Sequence, residues 1–247
     1  MNAWVMISVV EFKLLFRNFY SVFFAFAFPV GMLLLFGSIY GNEPVESFGG
    51  FGTIDLTAPA YMCMVIAVTG LMSLPLTVAQ YRERKILKRF MASPINPSRI
   101  LTAQVIVNLI MTVMGMAALL IVGALVFRLQ VYGSFWPILF SLFLITISMF
   151  SIGLVIAGVS SNGRMATVLS YLIYFPMLFL SGATIPIEIM PDHVSHFAKV
   201  LPLTHGVELL KRVWTGGALA DSFQNILVLS GVFLVCALLS VKAFRWE

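Results

Sequence analysis

Six apolar runs of about twenty residues, parted by short polar segments, leave this 247-residue chain few folds to choose from. A helix needs about 20 apolar residues to cross the ~30 Å hydrocarbon core of a bilayer. Inside that core every backbone N–H and C=O must be bonded within the protein, so each run reads as a helix. The expected spans run from about Phe19 to Tyr40, Pro59 to Gln80, Ile100 to Phe127, Phe135 to Val159, Met165 to Gly182 and Phe223 to Phe244. The chain is 60% hydrophobic and 10% charged, against about 25% charged in a soluble domain. The fold class is therefore all-α integral membrane, a single transmembrane domain over residues 1–247 with no room for a soluble catalytic domain.

Ahead of the first span, residues 1–18 are expected to form an interfacial helix, because Val5, Val9, Phe12 and Phe16 recur at helical spacing with Lys13 and Arg17 at their edge. Glu11, Lys13 and Arg17 also argue against a cleaved signal peptide there. Six spans put both termini on one side. Eleven of the fifteen Lys and Arg residues fall in the segments on that side, which makes it cytoplasmic. The net charge of +5 thus reflects membrane orientation and not nucleic-acid binding. Cys63 and Cys236 both fall in spans and read as small buried hydrophobes.

The densest charge lies between spans 2 and 3, in a loop over 82–99. Arg82, Arg84, Lys85, Lys88, Arg89 and Arg99 sit within the stretch YRERKILKRFMASPINPSR. At 100° per residue, Ile86, Leu87, Phe90 and Met91 share one arc and Arg84, Lys85, Lys88 and Arg89 the other. Ser93-Pro94 stops that helix, and Asn96 with Pro97 starts the next. This amphipathic helix reads as a docking knob for a cytosolic motor, with Glu83, Arg84 and Arg89 as polar contacts and Phe90 and Met91 as anchors. The competing reading is a topology signal lying on anionic lipid.

Within the spans no Asp, Glu, Lys, Arg or His falls near the middle. Ion-coupled transporters and proton pumps depend on such groups, so energy for uphill transport would enter from outside the spans. The chain has no phosphate-cradling loop of its own. Gly158 to Gly163 has the glycine spacing, but Arg164 and Met165 replace the lysine and the hydroxyl. No catalytic residue is expected, since no span holds a histidine to serve as base beside Ser181. His193, His196 and His205 lie near Glu188, Asp192 and Glu208, but they read as exposed groups and not as a metal site. On span 5, Tyr171, Tyr174, Phe175 and Leu178 form one stripe, readable either as a lining for a bulky substrate or as helix packing; Met62 on span 2 is a further pathway candidate. Gly153, Ala157 and Ser161 make a small-residue face on span 4.

Three stretches together resemble the ABC-2 type permeases, the membrane subunits of bacterial ABC exporters. They are FAFPVGMLLLFGSIYG (Phe26 to Gly41), RERKILKRFMASP (Arg82 to Pro94), and LSGATIPIEIMP followed by LPLTHGVELLKRVWTGG (Leu180 to Pro191, Leu201 to Gly217). In the second, Lys88 stands between Leu87 and Arg89, a departure from the family's Leu-Arg pair. The resemblance implies a half-transporter in the bacterial cytoplasmic membrane, paired with a second permease subunit, identical or different, and with two copies of a cytosolic ATP-binding subunit. ATP and Mg would sit on that partner, with no cofactor on this chain and no ATPase activity of its own. The coupling contacts would be Arg82, Glu83, Arg84, Lys85, Leu87, Lys88, Arg89, Phe90 and Met91, joined by Asn162 and Arg164 from the turn between spans 4 and 5. Residues 183–222 would form a re-entrant helical cap. The implied substrate is a hydrophobic or amphipathic drug, antibiotic or lipid-like molecule. The alternatives are a flippase for a lipid-linked glycan or cell-wall precursor, and a sensor subunit that binds an ATPase without transporting.

Overall fold

A computed structural model describes residues 19–45, 49–85, 97–184 and 190–243. The described residues are mostly helical and contain no strand. Six helices are long and apolar enough to cross a membrane: Phe23–Tyr40, Thr53–Glu83, Ile100–Phe127, Phe135–Val159, Gly163–Leu180 and Leu219–Lys242, here spans 1 to 6. The helix expected over residues 1–18 lies outside the described residues.

Span 2 is the hub. Of its most apolar stretch 83% is buried against the rest of the chain, compared with 11% for span 6. It touches spans 1, 3, 4 and 5 and the shorter helix Pro202–Trp214, whereas span 6 packs mainly on span 4 and on that same helix. Pro202–Trp214 is strongly amphipathic and sinks Leu203, Val207, Leu210 and Trp214 into the bundle. His205 fastens its start. Nδ1 lies 2.8 Å from Asn225 Oδ1 of span 6 and Nε2 lies 2.9 Å from the Lys199 carbonyl.

Two spans carry a π turn, Phe23–Ala27 in span 1 and Thr69–Ser73 in span 2. The second is held by Thr69, whose hydroxyl bonds its own Val65 carbonyl at 3.0 Å and meets the Thr112 hydroxyl of span 3 at 2.6 Å. The widened turn presses the Gly70 carbonyl against Gly153 of span 4, where a Cβ would overlap that oxygen. Gly153 and buried Ala157 therefore do form the contact face read from the sequence, while Ser161 lies beyond the end of span 4.

Span 2 begins at Thr53, six residues before the expected Pro59, and ends at Glu83. The early start has a non-local cause. Asn42, just past span 1, turns its side-chain oxygen onto the N–H groups of Ile54 (2.9 Å) and Asp55 (3.1 Å) and so caps the helix. The Asn42 amide donates to Asp55 Oδ1 at 2.9 Å and to the Phe127 carbonyl at 3.1 Å. Buried Asp55 also accepts from the Gln130 N–H at 2.9 Å and the Tyr132 hydroxyl at 3.2 Å, so one carboxylate ties together the ends of spans 1, 2 and 3. Desolvation, with the Asp55 charge added, holds the Tyr132 phenol above its ordinary pKa.

At the opposite end, span 2 runs through Arg82 and Glu83, so these two belong to the span and not to a separate knob. The helix ends where Lys85 adopts a left-handed backbone at φ 55°. Leu87, Lys88, Arg89, Phe90 and Met91 lie outside the described residues. Span 5 starts at Gly163 and ends at Leu180, two residues short of the expected Gly182.

Two substitutions test this packing. Gly153→Leu is expected to destabilise the fold by about 2–3 kcal/mol, because the clash is with backbone that cannot swing away. Asn42→Ala is expected to cost about 2 kcal/mol by leaving helix N–H groups and the Asp55 carboxylate short of partners. Thermal unfolding of the detergent-solubilised chain measures both.

Candidate functional site

Helix ends leave backbone groups unpaired, carbonyls at the C-terminus and amides at the N-terminus. The turn between spans 4 and 5 brings one end of each kind together, and the last turn of span 2 answers both. Arg82 Nη2 donates to the Ala157 carbonyl at 2.8 Å and Nη1 to the Gly158 carbonyl at 3.3 Å, both at the end of span 4. Glu83 Oε2 accepts from the Gly163 N–H at 2.8 Å, at the start of span 5. A cation thus meets the negative end of one helix dipole and an anion the positive end of the other. Gly163 permits the approach, since a Cβ there would lie 3.2 Å from Glu83 Oε2 and 3.1 Å from Gln80 Cγ.

The turn itself is closed by local bonds. The Ser160 hydroxyl donates to the Ile156 carbonyl at 2.6 Å, and the Asn162 side chain accepts from the Met165 N–H at 2.9 Å as the N-cap of span 5. Three residues expected as partner contacts, Arg82, Glu83 and Asn162, are thus engaged within the chain. The physical reason is the same for each: a helix end needed its side chain.

Directly beside this clasp opens a cavity of about 550 Å³ between spans 1, 2 and 5. Val68, Met72, Ser73, Leu76 and Gln80 of span 2 form one wall. Thr167, Ser170 and Tyr171 of span 5 face them, and Phe24 of span 1 closes a side. The volume lies within the ~300–1,000 Å³ of ordinary small-molecule sites. At the mouth stand Glu83, Arg84 and Arg164. Neither Arg84 nor Arg164 has a side-chain partner among the described residues, and both are exposed. The hydroxyls of Ser73 and Ser170, 3% and 1% exposed, also lack hydrogen-bond partners among the described residues.

The span-5 stripe divides. Tyr174 and Leu178 are buried at 0% and 2% exposure, while Tyr171 and Phe175 are open at 40% and 38%. Met62 is buried at 2%, deep in the core and away from the cavity lining. Of these five pathway candidates, Tyr171 alone lines the cavity. Ser73, Ser170 and Thr167 are not singled out by the sequence; a hydroxyl inside an apolar run is the available signal.

The ABC-2 type transporter family matches residues 2–215. The chain is 23% identical over 169 residues to the probable multidrug ABC transporter permease YbhR of Escherichia coli, covering 68% of this chain and 46% of that protein. It is 26% identical over 184 residues to ABC transporter G family member 20 of Dictyostelium discoideum, covering 73% of this chain and 24% of the relative. Nodulation protein J of Rhizobium leguminosarum is 30% identical over 95 residues, 38% of this chain and 37% of its own length. The chain thus spans less than half the length of each of these relatives. With six spans and a family match over nearly its whole length, the chain is a multi-pass membrane protein that belongs to the ABC-2 type transporter family.

Proposed function

We propose that this chain is the permease subunit of an ATP-driven exporter, carrying a hydrophobic or amphipathic substrate out of the cytoplasm or the inner leaflet. The basic end of the bundle faces the cytoplasm. The segment that follows Lys85 docks an ATP-binding subunit, two copies of which serve a pair of permease subunits. A multidrug permease among the relatives is in keeping with a substrate of this kind.

The observation that carries the reading is the position of the clasp. Arg82 and Glu83 join the last turn of span 2 to the turn between spans 4 and 5, immediately beside the cavity. A force applied to the basic segment therefore reaches two cavity walls at once. ATP-driven closure of the partner subunits moves the segment, the clasp carries spans 2 and 5 with it, and the cavity changes access. Linkage is reciprocal for binding, so substrate in the cavity alters nucleotide affinity by the factor by which nucleotide alters substrate affinity.

The docking assignment is tested by the double charge reversal Lys88→Glu and Arg89→Glu. Recovery of the ATP-binding subunit with the tagged permease is expected to fall about tenfold or more, as for loss of an interface hot spot, while membrane insertion stays intact. Undiminished recovery would refute the docking role. For the clasp, Glu83→Lys is expected to reduce substrate-stimulated ATPase activity and transport together in proteoliposomes. Glu83→Gln, which keeps an oxygen acceptor for the Gly163 N–H, should retain most of both.

A further inference from the structure

We infer that the cavity beside the clasp binds an amphiphile with an anionic head, held at the mouth by Arg84 and Arg164, with its tail lying along Leu76, Met72, Val68 and Phe24. This narrows the substrate class within the export reading above and rests on it.

Length is the first argument. From Val68 to Arg84 the cavity wall follows span 2 for sixteen residues, about 22–23 Å at 1.5 Å per residue once the extra residue of the π turn is set aside. A bilayer is ~40–45 Å thick with its headgroups, so one leaflet is roughly 20–22 Å. The cavity therefore has the depth of one leaflet, headgroup region included. Polarity runs the same way: the deep end is apolar, buried Ser73 and Ser170 hydroxyls stand in the walls, and charge is confined to the mouth.

The sign of that charge decides the head. Of the mouth's one carboxylate, Oε2 of Glu83 is bonded to the Gly163 N–H. Arg82, next in sequence, donates to the carbonyls of Ala157 and Gly158. Against that one carboxylate the mouth sets two guanidinium groups, Arg84 just past the end of span 2 and Arg164 of span 5, with no partner among the described residues, so its balance is one positive charge. Guanidinium pairs with phosphate and carboxylate through two parallel hydrogen bonds, a geometry an ammonium cannot match. A lipid-like anion lying in the inner leaflet would have its head at this level and its tail already among apolar groups.

The test uses the full chain in phosphatidylcholine nanodiscs, with Cys236→Ser to remove the half-buried thiol and Thr167→Cys as a reporter in the cavity wall. Maleimide labelling of the reporter is followed with dodecyl phosphate, dodecyltrimethylammonium or inorganic phosphate present. Dodecyl phosphate is expected to slow labelling about fivefold or more relative to the other two, a difference of about 1 kcal/mol. Arg84→Gln with Arg164→Gln should abolish that selectivity, and the Arg→Lys pair should restore part of it. Equal protection by both amphiphiles, protection by inorganic phosphate alone, or unchanged selectivity in the Gln pair would each overturn the proposal. A diazirine-bearing alkyl phosphate gives a second readout in the unsubstituted chain. Crosslinks are expected within 68–84 and 163–171, and crosslinks confined to span 6 would overturn it. Neither assay needs an ATP-binding subunit. Selective binding without ATP-driven export would sink the export reading alone, and export without selective binding would sink the anionic site alone.

Discussion

A bilayer supplies no hydrogen bonds, so a helix that crosses it must find protein partners wherever its own ladder is incomplete. In this chain span 2, the most enclosed of the six, takes part at both poles: its own start is capped by the Asn42 side chain, and the side chains of its last turn satisfy the ends of spans 4 and 5. Asn42 and Asp55 gather the ends of spans 1, 2 and 3 at one pole. Arg82 and Glu83 gather spans 2, 4 and 5 at the other. Between the poles the Thr69 and Thr112 hydroxyls meet across spans 2 and 3. Apolar packing alone gives weak direction in a membrane, where lipid tails compete on equal terms with side chains. The two polar poles therefore set how the spans are arranged around their hub.

That arrangement has a mechanical side. The cavity is walled by the lower half of span 2 and the lower half of span 5, and these are the helices the Glu83 bond connects. Its mouth lies next to the residues from which the basic segment departs. On the proposed reading, the surface that binds and the element that transmits are adjacent in space and nearly continuous in sequence, so a short displacement needs no long relay.

Much of the scaffold was legible from residues alone. Ile100–Phe127 and Phe135–Val159 fall where the apolar runs place them, because hydrocarbon thickness and local turn residues such as Gly133 and Asn162 act within the segment itself. The start of span 2 was misplaced because its cap comes from Asn42, which precedes the helix by eleven residues. Arg82 and Glu83 read from sequence as contacts to a cytosolic partner for a similar reason: the helix ends they serve lie some seventy-five and eighty positions away. The span-5 stripe could not be resolved at all. Core-facing Tyr174 and outward-facing Phe175 stand in equally apolar surroundings, so hydrophobicity does not tell them apart. The cavity was hidden because it is made by three spans, 1, 2 and 5, that no periodicity links.

The π turn at Thr69–Ser73 leaves span 2 with one residue more than a regular helix of the same length would hold. That spare residue is slack. Were the turn to tighten to ordinary α spacing, everything from Leu74 to Glu83 would swivel by about 100° and advance roughly 1.5 Å. The upper half, wedged between its neighbours, would stay where it is. The helix at the centre of the bundle thus carries the geometry of a swivel, placed at the level where the cavity ends.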